Sequence, residues 1–387
     1  MLKILLFVLL VATAQSKNLD NVVKEISSAA PAMDTKKQDT EKPALNRTET
    51  TYIENAPCKL SDGRNATCVP YYLCTPSSDG EAVFVYGKLC DSYIDVCCPE
   101  DKKVRNPVKR EIQQDGCGWS SPQGVVPQTP GKAQFEEFPW RVAIVTVELV
   151  NEDDPESPKI QVYTGTGTLI HPNVVLVAAH YVDTRKPLKI IAGDWETQST
   201  KEIYPYQERD VASVEIHKNY DKNLKLYDIA LLFVSEPFVP AAHVKAACLP
   251  PKNFVQKEGT HCFGTGWGKS LTDGGIRYSL LPKKVELPVI GYEDCKTKLG
   301  NLFALDSTFM CAEGDSEKDS CSNHGISGIF CPIESQTNRF VETGVAAWGV
   351  SCGEESTPSV FVDVSALRDW IDDAVSSKGY GPKTYTY

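Results

Sequence analysis

Between residues 142 and 348 the chain is a succession of short apolar runs, at 142–150, 165–170, 174–179, 188–192, 229–234 and 341–348. They are bounded by Gly, Pro and Asn, the residues that punctuate strands. Short strands at this density predict an all-β sandwich or barrel. A different period stands near the C-terminus. Leu367, Trp370, Ile371 and Ala374 follow the spacing of one helical face, and Ser365 is placed to cap that helix. Residues 376–387 carry no such pattern and read as a frayed tail.

The N-terminal end is patterned otherwise. Lys3 precedes an apolar run over residues 4–11, and Ala12-Thr13-Ala14 fits a small-x-small cleavage site, so 1–16 reads as a signal peptide. The run is too short to span a bilayer, and no later run approaches the roughly 20 apolar residues a span needs. A secreted, extracellular product is expected, with no membrane partner. Residues 17–56 hold no Cys and are rich in Lys, Glu, Asp, Thr, Ala and Pro. Such a stretch buries too little apolar surface to offset its chain entropy, and is expected to be a flexible segment.

Composition adds two points. With 41% hydrophobic and 24% charged residues the 387-residue chain is globular, and its net charge of −11 argues against a nucleic-acid partner. The secretory route makes its 14 cysteines disulfide candidates before metal ligands. It also makes Asn46 and Asn65, each in an Asn-x-Thr sequon, glycosylation candidates.

Six cysteines, at positions 58, 68, 74, 90, 97 and 98, crowd into a small module over 57–99 that needs covalent staples. Spacing alone leaves their pairing open, although the neighbours Cys97 and Cys98 must reach partners on opposite sides. Residues 100–116 then turn basic, with Lys102, Lys103, Arg105, Lys109 and Arg110 around Pro107. This reads as an exposed linker open to a trypsin-like protease, after Arg110 or, second, Arg105.

Residues 117–375 carry the chemistry-bearing motifs. Val177-Ala178-Ala179-His180, Tyr227-Asp228-Ile229-Ala230-Leu231-Leu232 and Gly264-Thr265-Gly266-Trp267-Gly268 are followed by Asp319-Ser320-Cys321 and Ala347-Trp348-Gly349. In this order they resemble the chymotrypsin-fold, trypsin-like serine proteases. The six-cysteine module resembles a clip domain, and the combination resembles the A-type clip-domain serine protease homologues of arthropods. The resemblance implies a double six-stranded β-barrel with a C-terminal helix behind a small disulfide-rich clip domain. It also implies the pairs Cys58–Cys97, Cys68–Cys90, Cys74–Cys98, Cys117–Cys248, Cys262–Cys331, Cys295–Cys311 and Cys321–Cys352. The family bridge beside the histidine loop is missing, its two positions being Gly165 and Tyr181, and Tyr181 is expected to fill that space. No implied bridge crosses the linker, so a cut there leaves the clip module without a covalent tether.

The catalytic chemistry needs a hydroxyl nucleophile, a histidine to take its proton and an aspartate to orient that histidine. His180 and Asp228 match the last two. The nucleophile loop reads Cys321-Ser322-Asn323-His324-Gly325-Ile326-Ser327-Gly328, which puts Gly325 at the nucleophile position. Asn323 stands at the oxyanion-hole glycine, and His324 at the aspartate that pairs with the new N-terminus on activation. Ser322 and Ser327 lie two or three residues away, too far to reach within the roughly 2.6–3.2 Å a nucleophile needs from its base. No Lys or Arg lies between Arg110 and Lys132, so a tryptic cut cannot generate the activating terminus near 124–131. His180 and Asp228 then read as a structural hydrogen-bonded pair. The resemblance puts Asp319, Gly349 and Ser359 at specificity-pocket positions, with Asp319 at the base as a partner for an Arg or Lys side chain, but Ser359 replaces a pocket-wall glycine and narrows the slot.

What the resemblance implies is a catalytically inactive cofactor or regulator of an innate-immune cascade in haemolymph. An upstream clip-domain protease would cut it. Its clients would be cascade proteins, among them prophenoloxidase, in melanisation, or complement-like factors, in opsonisation. Two other classes are a protein that binds microbial surfaces directly and a residual trypsin-like hydrolase. No cofactor is expected. Asp194 and Glu208 offer oxygen atoms of the kind calcium takes, with solvated acids the plainer reading.

Overall fold

The computed structural model describes residues 56–60, 62–70, 73–74, 90, 95–103, 115–121, 131–151, 153–182, 185–197, 204–272, 275–279, 281–300, 305–313, 326–349 and 358–387. A three-stranded antiparallel sheet comes first, β1 (Pro57–Lys59), β2 (Asn65–Pro70) and β3 (Asp95–Cys98), in the order β1-β2-β3. Three disulfides staple it, Cys58–Cys97, Cys68–Cys90 and Cys74–Cys98. Successive side chains of a strand point to opposite faces, which is how adjacent cysteines on β3 reach different partners.

Two closed six-stranded barrels follow. The first comprises β4 (Arg141–Leu149), β5 (Lys159–His171), β6 (Val174–Val177), β7 (Leu188–Ala192), β8 (Gln207–Ile216) and β9 (Ala230–Val234), in the order β4-β5-β6-β9-β8-β7. The second barrel opens with β10 (His261–Gly266). A hairpin of β11 (Lys269–Thr272) and β12 (Gly275–Tyr278) stands apart from it. The barrel continues through β13 (Lys283–Ile290), β14 (Phe309–Ala312), β15 (Ile326–Pro332), β16 (Phe340–Gly349) and β17 (Ser359–Asp363), in the order β10-β13-β14-β17-β16-β15. Strands β6 and β9 are buried throughout, which explains their unbroken apolar sequence.

The barrels meet over a shared core. Leu176, Ile229 and Leu231 of the first side pack in one cluster with Val345, Val360 and Val362 of the second. The Trp140 and Phe330 rings meet at 5.4 Å. Polar contacts cross the same interface: the Thr168 hydroxyl donates to Glu342 Oε1 at 2.9 Å, and the Arg141 guanidinium donates to the Thr265 hydroxyl at 3.2 Å. Glu342 is fully buried and its Oε2 has no hydrogen-bond partner, so burial pushes its carboxyl up to about 8.

The cysteine-rich sheet does not stand free. Val69, Val96 and Cys98 are buried in one cluster with Phe135 and Trp195 of the barrel side, and Leu73, Tyr204 and Leu281 pack around them. Trp195 lies edge-on to Phe135 at 6.4 Å, and its indole N–H donates to the Ala133 carbonyl at 3.0 Å.

There are two α-helices in the barrel region of the described residues, α1 (Tyr292–Leu299) and α2 (Arg368–Ser377). The second corrects two expectations. It starts at Arg368 with Leu367 at its N-cap and no side-chain cap, because the Ser365 hydroxyl donates instead to the Phe254 carbonyl at 2.8 Å. The end of the chain is also packed rather than frayed. Tyr385 is fully buried, its hydroxyl donates to Asp372 at 2.9 Å, and the Arg368 guanidinium covers its ring at 5.0 Å. No helix among the described residues is long and apolar enough to cross a membrane.

Candidate functional site

His180 sits in a short 3-10 turn, Ala179–Tyr181, directly after β6, and Asp228 precedes β9. Strands β6 and β9 are hydrogen-bonded neighbours, so the two residues come together at the same end of the pair. The His180 N–H donates to Asp228 Oδ1 at 2.8 Å, and His180 Nδ1 lies 2.6 Å from Asp228 Oδ2. Asp228 is fully buried, whereas the His180 side chain keeps 20% of its surface exposed. An acceptor-only carboxylate at Nδ1 places the imidazole proton there and leaves Nε2 outward as an acceptor. This is the geometry of a general base held by its orienter.

The loop before Asp228 is held under strain. Tyr227 has a positive φ of 50°, unusual for a bulky residue. Its ring stacks on His217 at 4.7 Å with 5° between the planes, and Trp370 closes on the other side of His217 at 5.1 Å. Burial beside Lys218 lowers the pKa of His217. The neighbouring Tyr220 hydroxyl is buried without a partner, and burial together with the charges of Asp228 and Asp221 pushes it up to about 12.

Next to His180, the Tyr181 ring occupies the space above Gly165. A Cβ on Gly165 would fall 2.6 Å from Tyr181 Cγ and 2.8 Å from both Cδ atoms. The His180 and Tyr181 rings meet at 4.0 Å.

The other half of the site is only partly described. Asp319, Cys321, Ser322, Asn323, His324 and Gly325 lie outside the described residues, as do Cys352, Arg105, Arg110 and Asn46. Ser327 is described. It lies on β15, almost fully buried, and its hydroxyl has no hydrogen-bond partner, so it is not paired with His180. Ser359 opens β17, buried, opposite Gly349 on β16 and Ala312 on β14. Asn65 is exposed at the start of β2.

Further disulfides join Cys117 to Cys248, Cys262 to Cys331 and Cys295 to Cys311. The Glu208 carboxylate accepts from Lys189 at 2.7 Å and from Gln161 at 2.9 Å, so protein donors already hold the acid considered as a calcium ligand. Among the described residues the one close group of metal-ligating atoms is Cys58, Cys68 and Cys90, and all three are in disulfides.

Sequence reasoning missed the Phe135–Trp195 patch that receives the cysteine-rich sheet. The signal available was weak, two aromatic residues in polar segments with no period around them.

Comparison with known proteins agrees with this architecture. The trypsin family matches residues 131–371. Phenoloxidase-activating factor 2 of Galleria mellonella is 50% identical over 298 residues, covering 75% of this chain and 98% of that protein. An inactive CLIP domain-containing serine protease, A8 of Anopheles gambiae, is 32% identical over 340 residues, 82% of this chain and 90% of its own length. A second Anopheles gambiae protein of that description, A28, is 31% identical over 311 residues, 74% and 78% of the two lengths.

Proposed function

This chain belongs to the trypsin family as a clip-domain serine protease homologue, and we propose that it is a secreted, catalytically inactive cofactor of phenoloxidase activation. The observation that carries the reading is the residue at the nucleophile position, Gly325, set against an intact His180–Asp228 pair. A base and its orienter without a hydroxyl cannot form an acyl-enzyme, and loss of the nucleophile alone costs on the order of 10⁶ in turnover. Asn323 and His324 replace the residues that serve the oxyanion and the activated terminus as well. The protease scaffold is then a binding body, and function resides on its surfaces.

In this reading residues 1–16 are removed on secretion, and Asn46 and Asn65 carry glycans. The clip module spans 57–99 and the protease-like body 117–375. An upstream clip-domain protease cuts the linker after Arg110 or Arg105. The relative in Galleria mellonella is named for activating phenoloxidase, and its identity over nearly its full length supports the same client here.

The test combines the purified protein, cut and uncut, with prophenoloxidase and its activating protease. The cut form is expected to raise phenoloxidase activity while hydrolysing no Arg or Lys tripeptide substrate. No increase with either form would overturn the cofactor role, and turnover of the tripeptides would overturn the inactive one.

A further inference from the structure

On the second barrel, remote in sequence from His180 and Asp228, a pocket of about 410 Å³ opens between residues 250–258, the ends of β13 and β14, and the start of α1. That volume lies in the range of small-ligand pockets. Its apolar surface comes from Phe254, Phe309 and Met310. Val255, 87% exposed, and Tyr292, 40% exposed, also line it. Two of the exposed large apolar side chains of the described surface therefore gather at one opening.

The polar part of the lining is rich in acceptors. Asp363, at the end of β17, is half-buried and accepts from the Ser365 N–H at 2.8 Å. Burial nonetheless holds its carboxyl above the usual carboxylate range. Glu258 lays its carboxylate against Gly291, where an added Cβ would stand 3.0 Å from Oε2. Gln256 donates its amide to Thr260, leaving a buried Oε1 without a partner. Against these acceptors stands one ammonium, that of the exposed Lys257.

Apolar walls that end in acceptors, with Asp363 and Gln256 partly desolvated and Glu258 exposed at the mouth, match a long methylene stem carrying a cation. A guanidinium fits better than an ammonium, since its planar array of donors can meet a carboxylate and an amide oxygen together and stack on aromatic rings. The net charge of −11 also draws basic partners toward the molecule. We propose that this pocket receives an arginine side chain displayed by a partner protein, with its stem on Phe254, Phe309 and Met310 and its guanidinium facing Asp363. The assignment does not depend on the phenoloxidase reading.

The chain offers a direct probe. Its three methionines are Met1, Met33 and Met310, so a methyl-labelled secreted protein reports on the pocket through Met310. Nα-acetyl-arginine N-methylamide is expected to shift the Met310 methyl resonance saturably, with a dissociation constant in the millimolar range. The citrulline analogue, of equal shape without the charge, should bind about tenfold more weakly or worse, the expected cost of losing a charge-assisted hydrogen bond. Asp363→Asn should weaken the arginine analogue by a similar factor. Val255→Lys, at an exposed position away from the Asp363 turn, should weaken it too without affecting folding. A norleucine analogue that shifts Met310 as strongly as the arginine one, or no saturable shift with arginine, would overturn the proposal.

Discussion

The Tyr181 ring stands where any side chain on Gly165 would have to go, with the space for a Cβ only 2.6 Å from its Cγ. The two residues stand at the positions where the resemblance implies a missing disulfide beside the histidine loop, and a ring packs on bare backbone there instead. Gly165→Ala forces one of them to move, and overpacking of this kind costs roughly 1–3 kcal/mol. Urea unfolding should show that loss, and Gly165→Ala combined with Tyr181→Ala should be less destabilised than the sum of the single variants. Strict additivity would refute the coupling.

The barrels were legible where burial is complete. The runs that became β6 and β9 are apolar because both faces of each strand are covered. Strand β8, Gln207–Ile216, was illegible because its side chains are only half-buried and its sequence reads as polar. The tail was misread for the opposite reason. Its polar composition hides one ring, Tyr385, that the Arg368 side chain shields from water. His180 and Asp228 could be paired from motifs alone, but the docking of Val69 and Val96 on Phe135 and Trp195 joins residues far apart in sequence and needs the folded chain.

That docking bears on cleavage. The six observed disulfides use twelve of the 14 cysteines, leaving Cys321 and Cys352, both beyond the linker. No bond can therefore tie the clip module to the barrels across residues 104–114. A cut after Arg110 should give two chains on a denaturing gel without reductant, yet the same sample should elute as one species in native gel filtration. The buried patch holds it there. Trp195→Ala, which truncates a large ring in that patch at a typical cost of about 3–5 kcal/mol, should release the clip module after cleavage. Release from the unaltered protein would show that the patch is too weak to act as a tether.

His180 retains a buried partner, and the proposed reading leaves it no nucleophile. His180→Ala keeps the backbone N–H bond to Asp228 Oδ1 but strands Oδ2, and an unsatisfied buried acceptor costs about 1–3 kcal/mol, more when charged. The expected outcome is a lower unfolding midpoint with unchanged stimulation of phenoloxidase per folded molecule. If stimulation falls while stability holds, the histidine is a contact residue rather than a structural one.

In the proposed reading, Gly325→Ser restores a hydroxyl but leaves Asn323 at the oxyanion-hole position and His324 at the activation position. A backbone N–H that the Asn323 side chain turns away from the oxyanion costs about 10²–10³ in turnover. The variant should hydrolyse no Arg or Lys tripeptide above background, before or after linker cleavage. Turnover that saturates with substrate would show that the nucleophile was the only missing part.

Glu342 gives the barrel interface a pH dependence. The unfolded carboxyl titrates near 4.5, whereas in the folded state burial holds the proton up to about 8, outweighing the Thr168 hydrogen bond. The folded state therefore binds more protons than the unfolded one across that window. Stability falls as pH rises through it, because an uncompensated charge must form between the barrels. The contribution is fully favourable below the unfolded value and lost by pH 8, on the order of a few kcal/mol. Glu342→Gln keeps an oxygen to accept from Thr168 and cannot ionise. Its stability relative to the unaltered protein should rise between pH 5 and pH 8, read as a widening gap in urea midpoints. A gap that stays constant over that range would mean that Glu342 finds a partner for its charge.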